Sequence, residues 1–356
     1  MMKNIFLLLF LALSLTTSGQ EVTDTLVITN DTIQKKSIFE FLSKEEILEI
    51  SIETNFDTIF THKNKIVKYI PGKITLNHKD EEATTLKIGL RPRGKYRRRI
   101  CDVPPMRVKF KKKGLKKIGL TGKYNSLKLV THCRGEDKDA KFNIFKEYLI
   151  YQIYSLHSEY SLKAQLVKIK YIQSGTEKKL FSGYGFFIEN ADELAHRLDA
   201  TIIEKMGARP DSLVKFECNV HSLFQCMIGN ADWSLFSFRN IKFLKLNSKD
   251  KLCVFPYDFD FSGFVNAAYA IPNPDYKLKS IKDRVFLGKI YSEEEMQKAA
   301  DHFLKHKDAT IQLCKDFKKL PKYQRKEIIK YLKSFYKILE SKEPLNEKLV
   351  ELSPKK

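Results

Sequence analysis

The spacing of apolar residues changes character near Asn190, and no other feature of this chain restricts its fold as strongly. Before Asn190 the apolar positions fall in short alternating runs, the period of half-buried strands. Runs at 66–70 and 73–76, separated by Pro71-Gly72, predict a hairpin, and further strands are expected at 85–90, 106–110 and 126–131. A helix over 141–157, apolar nearly all round, and two strands over 164–172 and 183–189 complete this half. After Asn190 a helical period takes over from 192 to 228 and again from 292 onward, where Ile328, Leu332, Phe335 and Leu339 form one apolar stripe. The pattern predicts an α+β chain with a strand-rich lobe at 61–190 and a helical lobe at 191–356 that carries a short β insert. Residues 20–60 read as a polar leader with a helix at 43–50, because Ser43 and Glu46 have capping-box spacing.

Among the 356 residues, 25 Phe and 16 Tyr supply ample core material, which excludes a disordered chain. The 15 Gly and 11 Pro follow no period, which excludes collagen-like and low-complexity folds, and no internal repeat is evident. Residues 1–19 join a basic Lys3 to an apolar run over 5–15 and small residues Thr17, Ser18 and Gly19, the pattern of a secretory signal peptide. Export to the periplasm or the extracellular space is therefore expected, and no later segment reads as transmembrane. Six cysteines lack C-x-x-C spacing, so a cysteine zinc site is not expected, and Cys101 with Cys133 is the candidate disulfide.

The formal charge is +21, concentrated in a run from Arg91 through Arg93, Lys95, Arg97, Arg98 and Arg99 and continued by lysines from Lys109 to Lys117. Such a surface attracts phosphate in any form. An exported protein rarely meets a genome, so nucleic acid is not expected; the basic run is either a solvated face or a surface for an anionic substrate, with a protein or anionic envelope substrate as the expected partner.

The segment 229–269 carries the chemistry. It reads as loop, hairpin, loop: Gly229-Asn230-Ala231-Asp232-Trp233, then strands over 239–246 and 251–255, then Pro256-Tyr257-Asp258-Phe259-Asp260. Arms of similar length return the chain to its start, which predicts Asn240 beside Tyr257 and Asp258 and gathers Asn230, Asp232, Asn240, Asp258 and Asp260. If 258–260 is extended, Asp258 and Asp260 share a face and repel unless a cation joins them, and hard oxygen ligands suit Mg²⁺ or Mn²⁺. The alternative is an Asx-rich turn system in which Asn230 and Asp232 cap or close loops and Asp258 binds backbone amides.

The order of a basic Arg91-Pro-Arg93-Gly94 segment, a helix, a strand pair ending Gly185-Phe-Phe-Ile-Glu189, then G-N-x-D and P-Y-D-F-D, resembles the CotH-type secretory-kinase family. The chain is also similar to a group of exported bacterial proteins that share L-K-L-V-T-H-C, here 127–133, and V-P-Y-D-F-D-F-S-G, here with Phe255 in place of that Val. The resemblance implies a two-lobe protein-kinase-like fold and phosphoryl transfer from ATP with Mg²⁺ or Mn²⁺. Asp232, with Asn230 beside it, takes the catalytic position, and Asn240, Asp258 and Asp260 are the metal candidates. A cation for the ATP phosphates is sought in Lys109 or Lys128, paired with Glu147. Glu189 would end the strand that faces adenine, and Arg93 would contact phosphate. Ala231-Asp232-Trp233 lacks the Arg-His that follows the catalytic Asp in the family, and seven residues separate Asp232 from Asn240, more than in the family. Gly94 stands alone, without a Gly-rich phosphate loop. A non-catalytic pseudokinase or basic envelope-binding module, and a metal-dependent phosphoester hydrolase, are the competing readings.

Overall fold

In the computed structural model, which describes residues 35–133, 140–176, 178–204, 212–248 and 250–354, seven strands close on themselves. Helix α1 (Ile38–Leu42) precedes them and opens on a reciprocal cap: Ser37 Oγ accepts from the Glu40 amide at 3.0 Å, and Glu40 Oε2 accepts from the Ser37 amide at 2.7 Å. Strands β1 (Ile47–Thr54), β2 (Ile70–Asn77), β3 (Thr84–Pro92), β4 (Met106–Phe110), β5 (Ser126–Thr131), β6 (Ala164–Gln173) and β7 (Lys179–Ile188) form a barrel in the order β1-β2-β3-β4-β5-β7-β6. Six of the seven seams are antiparallel, and the seventh lays β1 parallel to β6, from Ile47 opposite Leu166 to Thr54 opposite Gln173.

Alternation builds the interior. On β1, Leu48, Ile50 and Ile52 are buried with Ile74, Val108, Leu129, Val167 and Tyr171, and α1 and α2 (Phe56–His62) add Phe39 and Phe56 to the same core. Short helices α3 (Tyr96–Ile100) and α4 (Lys112–Lys117) flank β4 in sequence. A second core lies outside the barrel, where α5 (Ala140–His157) packs with the outward residues Val130, Leu166, Phe186 and Ile188. This explains why α5 is apolar nearly all round: barrel lies on one side and helices on the other.

The second half adds α6 (Ala191–Arg197), β8 (Ala200–Ile203), α7 (Lys215–Ile228), β9 (Ile241–Leu246), β10 (Leu252–Pro256), α8 (Glu293–Lys305), α9 (Lys307–Asp316), α10 (Lys322–Leu339) and α11 (Leu345–Glu351). Strands β10-β9-β8 make a separate sheet. Asn190, at the change of period, caps α6 by accepting from the Asp192 amide at 2.8 Å. The stripe of Ile328, Leu332, Phe335 and Leu339 is buried.

The α+β class stands, but the two-lobe protein-kinase-like fold is overturned by the closed mixed barrel with its accompanying three-stranded sheet. The helix expected over 43–50 is instead a turn at 43–46 followed by the start of β1, whose alternating Leu48, Ile50 and Ile52 line the barrel and whose edge closes it against β6. The capping-box spacing at Ser43 loses to strand pairing, and the real capping box is six residues earlier. The hairpin expected across Pro71-Gly72 is also absent, because β2 runs through both residues. A Cβ on Gly72 would stand 2.6 Å from the Glu53 carbonyl oxygen, so glycine permits the close approach of β1 and β2. Strand β8 interrupts the helical stretch expected over 192–228.

Cys101 and Cys133 form a disulfide, and the other four cysteines are buried thiols. Among the described residues no helix is long and apolar enough to cross a membrane. The segment read as a signal peptide, 1–19, lies outside the described residues.

Candidate functional site

Helix α7 ends at Gly229, which adopts the left-handed conformation at φ 62°, and a Cβ there would meet the Tyr331 hydroxyl at 2.0 Å. The turn is set by Asn230, which is buried. Its Nδ2 donates to Gln225 Oε1 at 2.9 Å and its Oδ1 accepts from the Asp232 amide at 2.9 Å. Asn230 thus supports the loop from behind and presents Asp232.

The β9–β10 hairpin then brings the chain back, with Ile241 opposite Pro256 and the Tyr257 amide donating to the Asn240 carbonyl at 3.0 Å. Asn240 Nδ2 donates to both the carbonyl and Oδ2 of Asp232, at 2.7 and 2.9 Å, and Arg239 Nη1 reaches Asp232 Oδ1 at 3.3 Å. Burial pushes the Asp232 carboxyl above the usual range, and Arg239 opposes that push. Asp258 follows, its amide donating to Tyr151 Oη at 3.2 Å. Phe238, Asn240 and Asp258 all have positive φ, at 55°, 54° and 67°. Three non-glycine residues in a sparsely populated region within one loop pair mark a conformation that the surrounding contacts must hold.

The opposite wall comes from the barrel side. Arg97, on α3, is buried and lies 3.6 Å from Glu147 Oε2 and 3.9 Å from Asp260 Oδ2, and its Nη2 donates to the Thr131 carbonyl. Burial disfavours its charge, but Tyr269, Asp260 and Glu147 more than offset this and hold it firmly cationic. Glu147, on α5, is 2% exposed, and its Oε1 has no hydrogen-bond partner. Burial first, then Asp260, raises its carboxyl well above the usual range. Asp260 is pushed up to about 6 by burial and by Asp258, with Arg97 opposing, and it accepts from Tyr269 Oη at 3.1 Å.

One carboxylate oxygen from each of Glu147, Asp258 and Asp260 lies within 4.8 Å of those of the other two. The adjoining cleft measures about 470 Å³, and its lining includes Arg93, Lys95, Asp232, Arg239, Asn240 and Asp258. Buried Asp260 and Arg97 line this cleft together with the less buried Arg93, Lys95 and Arg239, a mixture of acid and base that suits a hard cation carrying a phosphate.

Of the remaining sequence candidates, Lys128 adjoins the cleft, while Lys109 and Glu189 are not part of its lining. Lys109 is exposed on β4, its ammonium 5.5 Å from the Tyr69 ring. Lys128, on β5, is half-buried with its ammonium 4.3 Å from the Tyr257 ring; burial, then the charge of Arg93, pulls it down to about 7. Glu189 is buried and committed: it accepts from the Lys163 amide at 2.9 Å and from Arg197 Nε and Nη2 at 3.1 and 3.0 Å. Glu147, expected beside a strand lysine, is instead paired with Arg97. Arg97, Arg239 and Tyr269 escape sequence reading; the only signal is their place within the basic run or beside the acidic motifs.

No family model and no curated protein matches the chain.

Proposed function

We propose that the cleft is a metal-dependent phosphoryl-transfer centre of an exported protein, taking phosphate from ATP to a hydroxyl of a protein or envelope substrate. The observation that carries this reading is the convergence of Glu147, Asp258 and Asp260 on one spot, with a buried Glu147 oxygen left without a partner. Three carboxylates so placed repel one another, and Arg97 supplies a single compensating charge. Among the described residues nothing donates to the Asp258 carboxylate, so its oxygens remain available to a ligand. Hard oxygen donors of this kind fit Mg²⁺ or Mn²⁺, with Asn240 Oδ1, which accepts from no described residue, as a further donor. When bound, the cation offsets charge on the β- and γ-phosphates.

The chain's own part is to position and to accept a proton. Arg93, Lys95 and Arg239, which line the cleft, face the anionic oxygens. Asp232, clamped by Asn240 and Arg239, receives the proton of the attacking hydroxyl, and the clamp fixes the carboxylate so that only one orientation is presented. The P-Y-D-F-D and G-N-x-D likeness to CotH-type kinases supports the choice of ATP. The Cys101–Cys133 disulfide supports an oxidising compartment.

A second reading has its own support. Arg97 already lies within ion-pair distance of Glu147 and Asp260, as in a cleft that binds anions without turning them over. Calorimetric titration with ATP, with and without Mn²⁺, followed by a phosphate-transfer assay on envelope extracts, separates the two. Metal-dependent ATP binding, with turnover abolished in Asp232→Asn and Asp258→Asn variants that stay folded, is expected. Salt-sensitive binding of anionic polymer without any metal-dependent ATP binding establishes the second reading instead.

A further inference from the structure

Three histidines meet where the end of α5 touches α8. His157 is the last residue of α5; His302 lies on α8 and His306 caps it, four residues apart and hence on one helix face. One ring nitrogen from each lies within 4.8 Å of those of the other two. What distinguishes this group from a chance cluster is that each ring has one nitrogen engaged in a hydrogen bond and one left over. His302 Nε2 lies 2.9 Å from the His157 carbonyl, and His306 Nδ1 lies 2.8 Å from the His302 carbonyl. A carbonyl oxygen only accepts, so both nitrogens carry the proton, and a neutral ring then leaves a lone pair on His302 Nδ1 and on His306 Nε2. His157 Nε2 is bonded to Thr310 Oγ1 at 3.1 Å, and its Nδ1, in a residue 3% exposed, has no partner at all. An orphaned buried nitrogen has a cost that a ligand would remove.

We propose that His157, His302 and His306 bind a borderline transition-metal ion, Zn²⁺ by preference, at a site distinct from the acidic cleft. Three imidazoles and no carboxylate in the group select Zn²⁺, Co²⁺, Ni²⁺ or Cu²⁺ over Mg²⁺ and Ca²⁺. Each ring is held by a hydrogen bond at one nitrogen, which leaves the other for the ion, as in histidine metal sites where such a bond fixes tautomer and direction. Phe303 stacks on His157 at 4.2 Å between centroids and Phe216 stands edge-on to His302 at 5.6 Å, so an apolar shell surrounds the donors. Zn–N bonds of about 2.0–2.1 Å require the nitrogens to draw together slightly by ring rotation, and water completes the tetrahedron on the side where His302 and His306 are half-exposed. The ion ties the C-terminal end of α5, the helix that carries Glu147, to α8.

The test uses the full chain, stripped with chelator and held in excess Mg²⁺ so that the acidic cleft is occupied. Titration with Co²⁺ should give the visible bands of a tetrahedral site at one equivalent. Zn²⁺ should displace the Co²⁺ and raise the melting temperature by several degrees. His306→Gln, whose ring is half-exposed, should lower Zn²⁺ affinity at least about tenfold with little change in the metal-free melting temperature, and His302→Gln should lower Zn²⁺ affinity by a similar factor. Wild-type protein that shows no tetrahedral Co²⁺ spectrum overturns the proposal whatever the variants do. Equal Zn²⁺ affinity in wild type and His306→Gln overturns it as well.

Discussion

A guanidinium shut away from water keeps its charge at a desolvation cost that its neighbours must offset, and Arg97 depends on Glu147 and Asp260 as much as they depend on it. Removing one member of a buried ionic group costs more than forming the group gained, because the partners stay desolvated. Arg97→Met should therefore lose about 3–5 kcal/mol in urea unfolding without metal. Saturating Mn²⁺ should restore more stability to the variant than to the wild type, since the ion takes over the missing charge. A variant as stable as wild type in the absence of metal would show that the cluster needs no cation. At this scale the sequence was legible by residue type and opaque by direction. The turn residues around the hairpin announced that Asp232, Asn240 and Asp258 would meet, since equal strand lengths force the return. In the arginine run, by contrast, nothing local says that Arg97 turns inward while Arg99 stays exposed; five residues of helix α3 decide it.

The elements show the same division. Strands β3 to β7 and helix α5 were readable because each has an undisturbed period, whereas β1 was hidden behind a competing cap signal. Its role is to close the barrel, a non-local event that no window of local sequence records. Ile52 is fully buried and faces Ile74 on one side and Tyr171 on the other. Ile52→Ala should cost about 2–4 kcal/mol, measured by denaturant midpoint at unchanged slope. A cost under about 1 kcal/mol, the range of exposed substitutions, would mean that β1 is not part of the core. The disulfide acts on a neighbouring element. It joins the residue after α3 to a point just past β5, where the Asp102 and Val103 amides also donate to the Cys133 carbonyl at 2.9 and 3.3 Å. Cross-linking across a separation of 32 residues restricts the unfolded chain. Reduction, or Cys101→Ala with Cys133→Ala, should lower stability by about 2–4 kcal/mol, seen as a shift of the urea midpoint under reducing conditions.

Across the whole molecule, 64 basic against 43 acidic side chains mean that acid adds positive charge to a chain already strongly positive. Self-repulsion then weakens the fold as pH falls, with no single residue responsible. His221 adds a separable contribution. It lies wholly buried on α7, edge-on to Trp233 at 4.7 Å, with no hydrogen-bond partner at either nitrogen, and burial pulls it down to about 3. The folded protein therefore keeps His221 neutral where the unfolded chain, titrating near 6.5, takes up a proton. Above about pH 6.5 both states are neutral there and the residue gives no slope. Between about 6.5 and 3 the unfolded state binds the extra proton, so stability falls with falling pH by up to about 1.4 kcal/mol per unit. His221→Gln removes this slope and leaves the general repulsion intact. Urea midpoints measured at pH 7, 5 and 4 should therefore converge, with the variant less stable than wild type at pH 7 and the gap narrowing toward pH 4. Parallel curves would show that the ring is protonated in the folded state and that water reaches a position the packing around Trp233 closes off.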